Sequence, residues 1–218
     1  MEIAGWLDHF FPGVPPVRGG DACWLSLMKT RSPEHNPPLY WLGRALDAIE
    51  EGGAADVLAA RLVLAHGPDA CPGWSERDQR VQDVLSEASA FAWAAAHLGP
   101  PRFEPDGEAP DAPMLVHVLA HDAFVAPCRL WPVRTVDELV AQLRTRVAAA
   151  AERIPPATGR VVYVDVYLHP FMYAQDIGYH GELTEPLRVA VKQFATERRL
   201  GYVLTRPFQW GNAIEAQY

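Results

Sequence analysis

No stretch of the chain approaches the roughly 20 uninterrupted apolar residues that a membrane-spanning helix needs. The longest apolar run, Ala90 to Ala96, is short and stops at His97. The opening residues, "MEIAGWLDHFFPG", are acidic and lack the basic n-region of a secretory signal. Cysteine is scarce: Cys23, Cys71 and Cys128 are widely spaced, odd in number and form no Cys-x-x-Cys pair. That argues against a disulfide framework and a thiolate zinc site and leaves reduced, partly buried thiols. No glycine-rich phosphate loop occurs, since "GGAADVLAA" opens a helix without the lysine or the preceding strand. The Gly-x-Ser-x-Gly elbow of serine hydrolases is missing too. These absences describe a cytoplasmic chain that does not enter the membrane.

The 218 residues are 49% apolar, enough for a full core. The net charge of −8 is unevenly spread, with 8 basic and 18 acidic residues up to Pro127 and 11 and 9 after it. An acidic first half repels a phosphate backbone at long range, which disfavours nucleic acid and suits a basic protein partner.

The first 38 residues are rich in Gly and Pro, and only "DACWLSLMK" reads as a short helix there, capped by Asp21. Leu39–Glu51 and Ala54–Ala65 follow helical spacing and stop at Gly52-Gly53 and Gly67-Pro68. Ser75 caps a longer helix with Asp78 three residues on, and its stripe includes Val81, Val84, Leu85, Ala88, Phe91 and Ala92. It ends at Gly99, before Pro100-Pro101.

A turn-rich link with a short strand at Phe103 leads to strands at Met114–Ala120 and Phe124–Val133, joined by a bend at His121-Asp122-Ala123. Pro127 argues for an edge or bulge position in the second of these. Thr135 and Glu138 form a capping box for a helix reaching Arg153. Arg160–Leu168 is the clearest strand, with Val162, Val164 and Val166 on one face and Tyr163, Asp165, Tyr167 and His169 on the other. A helix from Thr184 to near Gly201 and a closing strand, "YVLTRPF", complete the chain.

The helix between Val133 and Arg160 makes its flanking strands parallel if they share a sheet. The fold class is therefore α/β: a mixed central sheet flanked by helices, with an α-helical N-terminal segment. Residues 1–74 form that Pro/Gly-rich and helical segment, packed on an α/β core domain of residues 75–218.

Glu87 in "DVLSEASAFAWAAAHLG" and Pro110-Asp111 before "MLVHV" are similar to elements of the PD-(D/E)xK nuclease-like superfamily. The order helix, three strands, helix, strand over about residues 76–168 resembles that family's core. The resemblance implies Asp111 as a metal ligand and Glu87 as its companion on the first core helix. The second strand departs from the pattern, reading Ala126-Pro127-Cys128-Arg129 where an acidic residue and a lysine belong. Mg²⁺ demands several oxygen ligands, and arginine does not deprotonate to act as a base. The frame therefore reads as nuclease-like with the activity lost, and no cofactor is expected; a divalent metal belongs to the alternative, a hydrolase using Glu87 and Asp111.

Three further groups carry chemistry. His117, His121, Asp122 and Asp111 are candidate metal ligands, although a strand separates His117 from His121 by roughly 13 Å unless it bends. Cys23, at a helix start and followed by Trp24, resembles the nucleophile segment of papain-like peptidases, where the helix terminus favours thiolate. Finally, Tyr163, Asp165, Tyr167, His169, Tyr173, Tyr179 and His180 form an aromatic and polar face suited to a protein partner. The function expected is that of a non-catalytic protein-binding module, immunity- or regulator-like.

Overall fold

The computed structural model describes residues 3–10, 37–67, 76–105, 112–131, 133, 135–156, 159–166, 184–206 and 210–218. They form six helices and one six-stranded sheet. The helices are α1 (Ile3–Phe10), α2 (Pro37–Glu51), α3 (Ala55–His66), α4 (Glu76–His97), α5 (Val136–Arg153) and α6 (Thr184–Arg198). The strands are β1 (Pro101–Pro105), β2 (Met114–Val118), β3 (Ala123–Leu130), β4 (Gly159–Val166), β5 (Gly201–Thr205) and β6 (Glu215–Gln217).

The strands lie side by side in chain order. β1, β2 and β3 are antiparallel neighbours, β3, β4 and β5 are parallel, and β6 returns antiparallel. The mixed sheet and the parallel β3–β4 pair are as the sequence pattern implied. Each parallel step is bridged by a helix, α5 and then α6, and both fall on the same face. Period-two alternation sorts the strand residues: Val162, Val164 and Val166 meet α5 and α6, while Val161 and Tyr163 meet α4. The result is a sheet covered on both faces.

Helix α5 begins as its sequence demands. Thr135 accepts from the Glu138 backbone N–H at 3.2 Å, and the Glu138 carboxylate accepts from the Thr135 N–H at 3.2 Å. The bend between β2 and β3 is a 3-10 turn, Leu119–His121, closed by Asp122 in the left-handed region with φ of 44°. β4 starts at Gly159, where an added Cβ would stand 2.6 Å from the Cβ of Ala123, so only glycine permits that pairing.

Helix α4 lies between the sheet and the N-terminal helices. Trp6 and Leu7 of α1, Leu42 and Ile49 of α2, and Leu58 and Leu62 of α3 share one apolar cluster with Leu85, Phe91 and Trp93 of α4. From Val81 to Ala94 nearly every α4 side chain is buried, with Asp83 partly so. A helix covered on both sides has no solvent face for its polar residues. Gln82, Ser86, Glu87 and Ser89 are all buried and need partners within the protein.

Three details differ from the sequence pattern. Residues 3–10 are helical although the Pro/Gly-rich opening suggested only the Asp21 segment, which lies outside the described residues. "YVLTRPF" is not the final strand, because β6 adds to the sheet edge beyond it. Pro127 is in an internal strand, but the β2–β3 pairs end at Val116↔Val125, so it falls beyond that ladder. Its missing N–H therefore removes no rung that β2 would have made.

Candidate functional site: an arginine-lined cavity at a fork in the sheet

Beyond Val125 the strands β2 and β3 separate, and the fork opens into a cavity of about 590 Å³. One wall comes from α3 and α4, with Leu64, Val84 and Asp83; the other comes from β3 and α5, with Pro127, Cys128 and Ala149. Five arginines converge on it: Arg61, Arg80, Arg129, Arg146 and Arg153. Arg61 and Arg129 are buried and form the floor, Arg153 is partly buried, and Arg80 and Arg146 are exposed at the mouth.

The fork explains part of this convergence. Diverging strands expose backbone carbonyls that the ladder no longer satisfies. Arg146 donates to the Arg129 carbonyl at 3.3 Å, Arg153 to the Met114 carbonyl at 3.4 Å, and Arg61 to the Ala112 carbonyl at 2.6 Å.

Glu87 is locked at the floor. Arg61 donates through Nε to Oε2 at 2.8 Å and through a terminal nitrogen to Oε1 at 2.7 Å, a two-point clamp between α3 and α4. The Met114 backbone N–H donates to the same Oε1 at 3.1 Å. Burial pushes the Glu87 carboxyl above its ordinary value, more than Arg61 and the Met114 amide pull it down. Glu87 is thus a buried tie rod. It is not a solvent-facing residue, and three hydrogen bonds take most of the roughly four acceptor sites of its carboxylate.

Arg129 of β3 points to the α4 face. It donates to the fully buried Asp165 at 3.2 Å and to the Gln82 amide oxygen at 3.3 Å. Asp165 also accepts from Ser86 at 2.7 Å and from Thr205 at 2.8 Å. The register aligns Arg129, Asp165 and Thr205 across β3, β4 and β5, so a polar row crosses the sheet under α4. Burial raises the Asp165 carboxyl, with Arg129, Ser86 and Thr205 acting against it. Asp83, lining the cavity, is raised by burial despite Arg129 and Arg146. Burial likewise pushes the Cys128 thiol to about 12, which favours the protonated thiol at neutral pH.

The other sequence candidates fall as follows. Tyr163 and Asp165 are completely buried, so neither presents a surface to a partner; that part of the aromatic face is corrected. The alternation placed them together but could not show that α4 covers them. Tyr167, His169, Tyr173, Tyr179 and His180 lie outside the described residues, as do Asp111 and Cys23. His117 meets Glu104 through Nδ1 at 2.7 Å and faces Asp122 through Nε2 at 3.6 Å. The two carboxylates are on opposite sides of one ring and cannot share an ion with it. His121 sits in the exposed 3-10 turn, not on the His117 strand. Among the described residues, no group of three or more His, Cys, Asp or Glu side chains is placed to hold a metal.

The cavity itself was missed in the sequence, although a signal existed. Arg80, Asp83 and Glu87 interrupt the α4 pattern at helical spacing, as Arg61 interrupts the stripe of Leu58, Leu62 and Ala65. Arg146 and Arg153 are seven apart on α5 and share one face.

Fold and site together define an α/β protein with a mixed sheet and a basic cavity where two strands part. Comparison of the chain with family models, with curated proteins and with solved structures gave no match. No helix among the described residues is long and apolar enough to cross a membrane.

Proposed function

We propose that this chain is a non-catalytic binding protein, of regulator or immunity type, on a nuclease-like α/β frame whose metal chemistry has been replaced. The observation that carries the reading is the state of Glu87. Both of its oxygens are engaged, by the Arg61 guanidinium and the Met114 amide, in a buried setting. Three hydrogen bonds leave at most about one of the carboxylate's lone-pair sites for an ion, and a hard cation beside Arg61 meets like charge. On β3, Cys128 and Arg129 supply no carboxylate. The likeness to nucleases rests on the order α4, β1, β2, β3, α5, β4 and on Glu87.

The partner is a protein, and the acidic first half of the chain favours a basic one. With Tyr163 and Asp165 inside the core, its contact face falls to Tyr167, His169, Tyr173, Tyr179 and His180. A cytoplasmic location accords with Cys128 as a free, buried thiol. The test is incubation of the purified chain with supercoiled DNA and with RNA in Mg²⁺ or Mn²⁺. The reading expects no cleavage above that of a Glu87→Ala variant; metal-dependent cleavage that the variant lacks would refute it.

A further inference from the structure

We infer that the cavity at the β2–β3 fork binds a small dianion, a phosphate monoester on a compact apolar body. This deepens the non-catalytic reading and rests on it. Charge is the first argument. The lining holds five arginines against Asp83 and Glu87, and Asp165 stands directly behind Arg129. The balance is cationic by about two charges, in a chain whose net charge is −8. Like charges held together on a concave wall repel one another, and an anion of matching size relieves that repulsion. A phosphate monoester carries roughly −1.5 to −2 at neutral pH, whereas a monocarboxylate would neutralise only half of the excess.

Preorganisation is the second argument. Arg61 is clamped by Glu87, Arg129 is held by Asp165 and Gln82, and Arg146 is held by a backbone carbonyl. Such bonds fix the planes of these guanidinium groups, and Arg80 and Arg146 at the mouth add their charge to the fixed floor. Groups fixed before the ligand arrives do not have to be ordered by it.

Size and lining make the third argument. A volume of about 590 Å³ suits a small molecule. Leu64 and Val84 on one wall and Pro127 and Ala149 on the other give an apolar slot beside the cationic floor. A nucleic acid strand matches the site less well, because its remaining phosphates meet a protein whose net charge is −8.

The experiment is calorimetric titration of the whole chain with p-nitrophenyl phosphate, in a buffer free of phosphate and sulfate. Parallel titrations use p-nitrobenzoate and a short single-stranded oligonucleotide. Saturable one-to-one binding of the phosphate with a dissociation constant of ~1 mM or tighter is expected. Arg80→Gln and Arg146→Gln should each weaken it at least about fivefold. Ala149→Trp, which fills the slot and removes no polar group, should abolish it while unfolding stays cooperative. Arg44→Gln, on α2 and outside the cavity lining, should bind as the parent does.

No saturable binding, or unchanged binding by both Ala149→Trp and Arg80→Gln, would overturn the assignment and leave the non-catalytic reading standing. Equal affinity for p-nitrobenzoate, or tighter binding of the oligonucleotide, would also overturn it. Release of nitrophenolate, lost in Ala149→Trp, would confirm the binding site and overturn the non-catalytic reading.

Discussion

Two buried arginine–carboxylate pairs sit under the same helix, and they differ in what surrounds them. Arg129 and Asp165 lie between α4 and the sheet, with exposures of 3% and 0%, in a polar row closed by Ser86, Gln82 and Thr205. Arg61 and Glu87, at 9% and 4%, make the better-shaped contact, but they edge a cavity. Both arginines touch the cavity, but Asp165 is fully buried behind Arg129, whereas Glu87 lines the cavity itself, so water reaches the second pair more easily if a partner is removed. Coulomb attraction alone would rank the two-point Arg61–Glu87 clamp higher. Desolvation reverses the order, because the cost of an orphaned charge depends on whether it can find water.

The largest expected effect is therefore at Asp165. Asp165→Ala leaves Arg129, Ser86 and Thr205 without their shared, fully buried acceptor and should cost about 3–5 kcal/mol. Glu87→Ala should cost less, about 2–3 kcal/mol, since cavity water can solvate Arg61. Urea unfolding of the two variants checks the order, and a larger loss at Glu87 breaks the comparison. Replacing the second pair together, Arg61→Met with Glu87→Leu, should leave stability within about 1 kcal/mol of the parent. A loss near the sum of the single changes would mean that the Ala112 and Met114 backbone contacts, not the ion pair, hold α3 in place.

The smallest effect concerns pH. Asp165 and Glu87 have carboxyls raised by burial, so the folded state binds their protons more tightly than the unfolded chain does. Their contribution is largest below the ordinary carboxylate range and declines as pH rises through the folded values. Glu104 behaves oppositely. Partial burial pushes it up, but hydrogen bonds from His117 and Arg102 outweigh that and leave it below its ordinary value. Its contribution is present above that value and is lost as pH falls through the folded one. Glu104→Gln should slightly destabilise at neutral pH, less at high salt, and the effect should fade as pH falls through the folded value. Melting curves across pH and salt read this directly.

Much of the frame was legible because its signals are local. The Thr135–Glu138 capping box, the alternation of Val162, Val164 and Val166, and the glycine and proline stops each depend on a few neighbouring residues. The misses are of two physical kinds. Helix α1 sits in a segment whose Pro and Gly content argues for turns, yet Trp6 and Leu7 gain enough burial against α2 to fix it. β6 is three residues long and is held from outside its own sequence, by Tyr202 donating to Glu215 at 2.7 Å and the Ile214 N–H bonding the Leu204 carbonyl at 2.7 Å. The cavity was the least legible feature, because its arginines come from four elements that only the fork brings together. Burial of Tyr163 and Asp165 was hidden for a related reason. An alternating strand announces two faces but does not say that both are covered.

The central claim is that Glu87 serves the Arg61 tie and not a metal ion. Its most direct test is the thermal unfolding of the whole chain in EDTA, Mg²⁺, Mn²⁺ and Zn²⁺, beside Glu87→Gln. A ligand present at about 100 times its dissociation constant adds about 2.7 kcal/mol to the folded state, well within reach of a melting curve. The account predicts that no metal raises the midpoint of the parent chain and that Glu87→Gln melts lower than the parent in every buffer. A rise with Mn²⁺ that EDTA reverses and Glu87→Gln abolishes would contradict it.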